Sequence, residues 1–212
     1  EKAMKFKIET NLYDDGKPMF CKRQIEIEPG LTILVGCNGS GKTTLLDQIR
    51  TIVRDKEIPY IKYNNLTDGN ETSYSMSMAA YFGNFEQMSA TFSSSEGENI
   101  ALSLGRIAEK IGRKIKECEE DHKTQLFIFM DGIDSGLSID AIEDVKKYLF
   151  DTIFQRAKDL DVYLIVSAND YTLTINERCL DVYTGDYKRF ASYESYYKFI
   201  LQSRERKDQR FV

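Results

Sequence analysis

The feature that most constrains the fold is a glycine-rich segment near residue 40. Residues 36–44 read Gly-Cys-Asn-Gly-Ser-Gly-Lys-Thr-Thr and fill every position of the phosphate-binding pattern G-x-x-x-x-G-K-S/T. An apolar run at 31–35, suited to a buried strand, precedes it, and an amphipathic helix beginning at 43–50 follows it. A strand that turns through glycines into a helix aims backbone N–H groups and the positive end of the helix dipole at phosphate. The segment therefore predicts a nucleoside triphosphate site.

Strand and helix patterns alternate along the rest of the chain. Short apolar runs predict strands at 58–63, 126–130, 162–166 and 179–183. Apolar residues at three- and four-residue steps predict helices from Glu96 onward, over 142–153 and near 193–202, the last followed by a charged tail at 204–210. Residues 64–75 are expected to be an exposed loop, and residues 76–88 one or two short helices. Segments 4–9 and 22–28 alternate apolar and polar residues around a turn-rich stretch. The expected fold class is α/β: a P-loop NTPase with a mainly parallel sheet flanked by helices and an N-terminal antiparallel hairpin.

Length and composition indicate how many domains the chain forms and in which cellular compartment it lies. The 212 residues suit one domain over 1–212, and no apolar stretch approaches the roughly 20 residues of a membrane span. The four cysteines are far apart and form no C-x-x-C pair, so neither a zinc knuckle nor a disulfide framework is indicated. A net charge of −5 argues against a broadly basic surface. We expect a cytoplasmic protein without a membrane span.

The phosphate-binding pattern predicts phosphate and metal contacts for individual side chains. Lys42 is expected to reach the β- and γ-phosphates, and the Thr43 hydroxyl to ligate Mg²⁺. A second metal ligand is expected at the end of a neighbouring strand, where Asp131 follows the apolar run 126–130. An aspartate at a strand end is also a common helix-entry residue. The predicted nucleotide-binding residues are Gly36, Asn38, Gly39, Ser40, Gly41, Lys42, Thr43 and Thr44.

Residues 36–46, with Leu45 and Leu46 after the threonines, resemble the form G-x-N-G-x-G-K-S/T-S/T-L-L of ABC-type ATPases. That family includes transporter subunits and the SMC and RecF relatives that work on DNA. The resemblance implies ATP and Mg²⁺ as cofactors. It also implies a signature of the L-S-G-G-Q/E type at a helix start, which binds the γ-phosphate held by the opposite subunit.

Ser95, Glu96 and Gly97 resemble a variant of this signature, with Glu96 in place of its first glycine. The alternative is a serine N-cap with acidic residues in the first helical turn, which requires no nucleotide.

Residues 131–138, which read Asp-Gly-Ile-Asp-Ser-Gly-Leu-Ser, resemble the family segment D-E-x-D-x-x-L-S/D. The resemblance places Gly132 where the catalytic glutamate normally orients the attacking water. General-base catalysis contributes about 10²- to 10⁴-fold in rate. We therefore expect slow hydrolysis unless another carboxylate acts as the base, with Asp134 the first candidate.

The family's switch histidine is also absent, because the one histidine, His122, precedes the Asp131 strand. Asn169, and after it Ser167, occupy the expected place and are candidates to hydrogen-bond the γ-phosphate or the water. A turn or helix-cap role for Asn169 is the alternative.

Other family positions have weaker candidates. For the glutamine that senses Mg²⁺, Asn64 or Asn65 is better placed than Gln87, whose neighbours do not resemble a strand end. Tyr13 or Phe20 are candidates to stack on adenine, although core packing is favoured for an aromatic residue of a hairpin.

Only 53 positions separate Lys42 from Ser95, which excludes a long coiled-coil insertion between them and leaves little room for a transporter-type helical subdomain. The resemblance thus favours a compact SMC- or RecF-like head that forms an ATP-dependent homodimer, or pairs with another ATPase or effector protein.

Two functions stay open: a slow ATPase acting on DNA or a DNA-processing partner, and a nucleotide-dependent binding or assembly module with negligible turnover. A transporter ATPase subunit is a distant third.

Basic residues of the C-terminal segment are either DNA-phosphate contacts or, preferably, part of a solvated helix end. They are Lys188, Arg189, Arg204, Arg206, Lys207 and Arg210.

Overall fold

A six-stranded sheet and a separate two-stranded hairpin form the framework. The computed structural model describes residues 3–10, 17–64 and 95–209, with side chains in the long helix described from residue 104 onward. The strands are β1 (Met4–Lys7), β2 (Gln24–Ile27), β3 (Gly30–Val35), β4 (Tyr60–Asn64), β5 (Gln125–Asp131), β6 (Asp161–Ser167), β7 (Cys179–Asp181) and β8 (Tyr187–Lys188). The hairpin pairs β1 with β2 antiparallel, and the sheet order is β4-β5-β6-β3-β7-β8. All neighbours in the sheet are parallel except β7 and β8.

Helices connect the parallel strands. They are α1 (Lys42–Asp55), α2 (Ser95–Glu120), α3 (Ile139–Asp144), α4 (Asp151–Arg156) and α5 (Tyr193–Asp208). A π-helical turn, Val145–Phe150, joins α3 to α4, and a short 3₁₀ helix, Tyr171–Thr174, follows β6. The helix predicted over 142–153 is therefore three consecutive helical segments.

The sheet is buried on both faces because alternate side chains of each central strand enter different cores. On β5, Leu126, Ile128 and Met130 pack into the core beneath α2 to α5, whereas Phe127 and Phe129 enter the core beneath α1 and the hairpin. All five side chains are at most 2% exposed. This explains why β5 appears in the sequence as a continuous apolar run.

The predicted fold class is confirmed, with two differences. First, β5 does not neighbour β3, because β6 lies between them. The apolar pattern of a strand carries no information about strand order. Second, the charged segment predicted to be a tail continues α5 to Asp208. Ser192 and Ser195 form a capping box at its start, and buried Phe199 and Ser203 hold it against the sheet domain.

Phe127 offers a test of the packing between β5 and β6. Its ring stacks on that of Tyr163 with centroids 4.3 Å apart, and it is fully buried. Phe127→Ala should lower the free energy of unfolding by about 3–5 kcal/mol, as measured by urea denaturation, because it leaves a cavity in the core beneath α1 and the hairpin. The control Tyr197→Ala removes an aromatic ring that is 50% exposed, and it should change the value by no more than about 0.5 kcal/mol. Equal effects of the two changes would contradict this packing.

Candidate functional site

The glycine-rich segment forms the turn between β3 and α1. Gly39 and Gly41 have φ angles of 76° and 98°, in the region that favours glycine. A Cβ on Gly41 would lie 2.7 Å from the Met19 sulfur and 2.9 Å from the Phe20 ring, so this position also requires glycine for space. Phe20 is 2% exposed and packs in the core, which is the favoured alternative to adenine stacking.

Lys42 is held inside the curve of the loop. Its side chain is buried, and Nζ donates hydrogen bonds to the carbonyl oxygens of Gly36 at 2.8 Å and Cys37 at 3.2 Å. Burial lowers the pKa of the Lys42 ammonium, while the nearby carboxylates of Asp134 and Asp131 act in the opposite direction. The position of this ammonium at the start of α1 suits a phosphate group that enters the loop.

The side chains of Thr43 and Asp131 are in contact. They meet although β6 lies between β3, which leads to Thr43, and β5, which ends at Asp131. The Thr43 hydroxyl donates to Asp131 Oδ2 at 2.7 Å, and the Ser167 hydroxyl, at the end of β6, donates to Asp131 Oδ1. Hydroxyl and carboxylate oxygens are suitable ligands for Mg²⁺, and the other ligands of the ion are usually water molecules and substrate phosphates. Among the described residues no group of three or more His, Cys, Asp or Glu side chains gathers around one point. The Thr43–Asp131 pair therefore fits a magnesium ion that is shared with phosphate.

These side chains line one cavity of about 340 Å³. Asn64 enters the same cavity, because β4 pairs with β5 so that Asn64 lies opposite Asp131. The structure thus brings together residues that the sequence separates by more than 100 positions. The cavity is lined by Met19, Asn38, Gly39, Gly41, Lys42, Thr43, Thr44, Asn64, Asp131, Gly132, Ser135, Ser167 and Asn169.

Gly132 stands at this cavity with a backbone suited to glycine. Its φ is 67°, its N–H donates to Ser167 Oγ at 2.9 Å, and a Cβ here would lie 3.3 Å from Ser135 Oγ. A glutamate at this position would meet a left-handed backbone as well as this contact. The conformation of the turn after Asp131 therefore suits a glycine at position 132.

Asp134 connects the turn to the loop after β6. It is 4% exposed, and its Oδ2 accepts from the backbone N–H groups of Asn169 at 2.6 Å and Asp170 at 2.7 Å. Burial raises the pKa of the Asp134 carboxyl, against the opposing effect of these hydrogen bonds. Its role as a substitute base stays a prediction, while its contacts hold the Asn169 loop in place.

Asn169 lies at the rim of the cavity. Its side-chain amide donates to Asp134 Oδ1 and to Ser135 Oγ, both at 3.2 Å. Its predicted contact with the γ-phosphate or the attacking water stays a prediction. Ser167, the second candidate, is instead bonded to Asp131.

Several predicted residues cannot be placed at the site. α2 begins at Ser95, but the side chains of Ser95, Glu96 and Gly97 lie outside the described residues, so the signature stays a prediction. Asn65, Gln87 and Tyr13 also lie outside them.

Two contacts from α5 to the loop were missed by sequence reasoning. The backbone N–H of Cys37 donates to Ser203 Oγ at 3.0 Å, and Lys207 Nζ donates to the carbonyl oxygen of Asn38 at 3.2 Å. The charged composition of 204–210 is typical of a solvated helix end and carries no signal for such contacts.

Other basic residues of the C-terminal segment also have partners within the chain. Lys188 and Arg206 flank the buried carboxylate of Asp181, at 3.4 and 3.6 Å. Arg189 donates to the Asn176 carbonyl, whereas Arg204 is 3.7 Å from Asp208 and largely exposed. The Arg204 side chain is 70% exposed, compared with 33% for Lys188 and 30% for Arg206.

A family model and a solved structure are similar to this chain. A family model described as an AAA domain matches residues 19–209. The solved structure of MJ1267, an ATP-binding cassette of an ABC transporter, is similar with a TM-score of 0.50 and 13% sequence identity, over 99% of this chain and 98% of that one. A comparison with curated proteins finds no match. None of the helices in the described ranges has the length and apolar character that a membrane crossing requires.

The backbone at Gly132 gives a direct test of the turn. Gly132→Ala should reduce the free energy of unfolding by about 1–2 kcal/mol in urea denaturation, because alanine disfavours a φ of 67°. Gly136→Ala is the matched control, since Gly136 has a φ of 81° but nothing within 4 Å of an added Cβ. An additional loss at Gly132 measures the Ser135 contact, and an unchanged Gly132→Ala protein would argue against this turn.

Proposed function

Because the chain belongs to the AAA domain family, we propose that it binds ATP with Mg²⁺ in the phosphate-loop cavity and hydrolyses the ATP slowly. The observation that carries the proposal is the 2.7 Å contact between Thr43 and Asp131, beside the buried ammonium of Lys42. A nucleotide-binding turn needs a cation, a metal-ligating hydroxyl and an acidic strand end at one point. These three groups line one cavity here.

Each residue has a defined task in this proposal. Backbone N–H groups of the loop and Lys42 bind the β- and γ-phosphates, and Thr43 and Asp131 hold the metal. Bound Mg²⁺ neutralises charge that develops on the phosphate oxygens. Ser167 orients the Asp131 carboxylate through its Oδ1, so that Oδ2 faces Thr43.

Slow turnover follows from the position of Gly132. Its left-handed backbone and its N–H bond to Ser167 support a turn without a glutamate. Asp134 and Asn169 are the candidates to orient the attacking water. Since both also bond to each other, a nucleotide that rearranges the Asn169 loop would have to break contacts at 2.6–3.2 Å.

A nucleotide-dependent binding or assembly module with negligible turnover is the second candidate, favoured by the same glycine. In that case ATP acts as a ligand that stabilises one arrangement of the chain. A transporter ATPase subunit is a third candidate without an observation in its favour, because a structural likeness at 13% identity concerns the fold alone.

We further propose that ATP joins two copies of this chain, or this chain and another ATPase or effector, with DNA as a candidate substrate of the assembly. A signature at Ser95 would complete a phosphate site on the opposite subunit. Exposed apolar side chains support such a contact: Tyr193, Tyr197 and Leu201 are 43–62% exposed. They line a cavity of about 450 Å³ that reaches the phosphate loop at Asn38.

ATP binding and turnover test the proposed site. Lys42→Ala should weaken ATP binding by about 10- to 100-fold, as measured by calorimetry, because a buried charged contact to phosphate is lost. Asp131→Asn should abolish phosphate release while the fold persists. Lys56→Ala is the control, since Lys56 is an exposed lysine at the opposite end of α1. Tight ATP binding without any release by the unaltered protein would favour the second candidate, and absence of ATP binding would refute the site.

The association state tests the dimer. With ATP and Mg²⁺, light scattering should report about twice the 24.5 kDa mass of the chain, whereas the apo protein and Lys42→Ala should stay at the lower mass. A persistent monomer at high protein and nucleotide concentration would exclude a homodimer.

A further inference from the structure

A second lysine touches the phosphate loop from the C-terminal helix. Lys42 donates to the carbonyl oxygens of Gly36 and Cys37, and Lys207 donates to the next one, that of Asn38, at 3.2 Å. Two ammonium groups therefore lie on three consecutive carbonyls of one loop. The first belongs to the phosphate-binding pattern, whereas the second lies 165 residues later in the chain.

We propose that Lys207 is a second nucleotide-binding lysine, whose ammonium moves from the Asn38 carbonyl to the polyphosphate of the bound nucleotide. The inference rests on the proposed function and extends it to a cation supplied by the same chain. A phosphate oxygen carries negative charge and is a stronger partner for an ammonium than a neutral carbonyl. A four-carbon stem allows the ammonium to reach it.

The path of the Lys207 side chain supports this movement. A Cβ placed on Gly39 would lie 3.5 Å from Lys207 Cδ and 3.7 Å from its Nζ, so the lysine follows the loop from Asn38 to Gly39. Both of these residues line the cavity that holds Lys42 and Thr43, whereas Lys207 itself lines the adjoining cavity of about 450 Å³, to which Asn38 also belongs. A larger residue at position 39 would contact the Lys207 stem.

Neighbouring residues hold the helix in place around Lys207. One turn earlier, Ser203 accepts from the Cys37 N–H and is 5% exposed. The adjacent Arg206 lies 3.6 Å from the buried Asp181 carboxylate and covers the Tyr183 ring at 4.7 Å. The helix therefore delivers Lys207 to the loop without depending on the Lys207 side chain itself.

Within residues 3–10, 17–64 and 95–209, the Lys207 ammonium forms no buried ion pair. It lies 3.8 Å from the carboxylate of the exposed Asp208, and the lysine side chain is 27% exposed. An ion pair of this kind is weak, since both partners stay hydrated. Lys207 can exchange this partner for phosphate at little cost.

Equilibrium binding of ATP and of inorganic tripolyphosphate, each with Mg²⁺, tests the proposal. Lys207→Gln removes the charge, and it should weaken both ligands by about tenfold. Lys207→Arg should restore most of the affinity because it keeps the charge. Lys198→Gln removes a charge from an exposed position on the same helix, where the lysine pairs with Glu194, and it should bind as the unaltered protein does.

Salt dependence separates charge from loop positioning. The difference between Lys207→Gln and the unaltered protein should shrink at high salt, because a contact of an ammonium with phosphate is screened. Ser203→Ala removes a neutral contact to the loop, so any loss that it causes should not shrink in this way. Thermal unfolding of each variant checks that the fold is retained.

The results that overturn the inference differ from those that overturn the site. If the unaltered protein binds ATP and Lys207→Gln binds equally well, Lys207 has no part in nucleotide binding and the proposed function stands. A loss that Lys207→Arg does not restore and that salt does not reduce would assign Lys207 to loop positioning alone. If the unaltered protein binds no ATP, both proposals fail.

Discussion

The hydrogen bonds to Asp131 hold the site together. The strands β3 and β5 are separated by β6. Groups at the ends of β3 and β5 are therefore connected by side chains that extend past the end of β6. Thr43 reaches Oδ2 from the start of α1, and Ser167 reaches Oδ1 from the end of β6. Three elements are thereby joined at one carboxylate. Lys42 precedes Thr43 and Gly132 follows Asp131 in the sequence, so this junction adjoins both the phosphate loop and the turn.

A second carboxylate extends the junction away from the phosphates. Asp134 is buried and accepts both backbone N–H groups at the start of the 169–170 loop. A buried carboxylate is stable only where such donors compensate for its lost hydration. The loop with Asn169 and the turn with Gly132 therefore behave as one hydrogen-bonded unit.

Sequence patterns predicted the elements of the site well but not their arrangement. The continuous apolar runs of β3, β5 and β6 reflect strands buried on both faces, and this burial is visible without a structure. The loop at 36–44 required glycines at positive φ, so its conformation was also predictable from the sequence. The position of β6 between β3 and β5 was not, because adjacency in a parallel sheet depends on how the helical connections cross it. The contacts of Ser203 and Lys207 were hidden for a related reason, since an exposed-looking charged helix end gives no sign of what it packs against.

The sequence by itself determined the local conformations: glycines at 39 and 41 allow the loop to curve, and a lysine and threonine at the start of α1 equip it for phosphate and metal. Gly132 likewise allows the left-handed backbone of the turn after Asp131. Only the tertiary structure decided which distant groups lie beside the loop and its cavity. It brings Asp131, Asn64 and Lys207 to the loop from positions 22 to 165 residues away from Lys42. The physical reason is that local patterns are set by backbone sterics and burial, whereas these contacts arise only when the sheet order and the docking of α5 bring chain ends together.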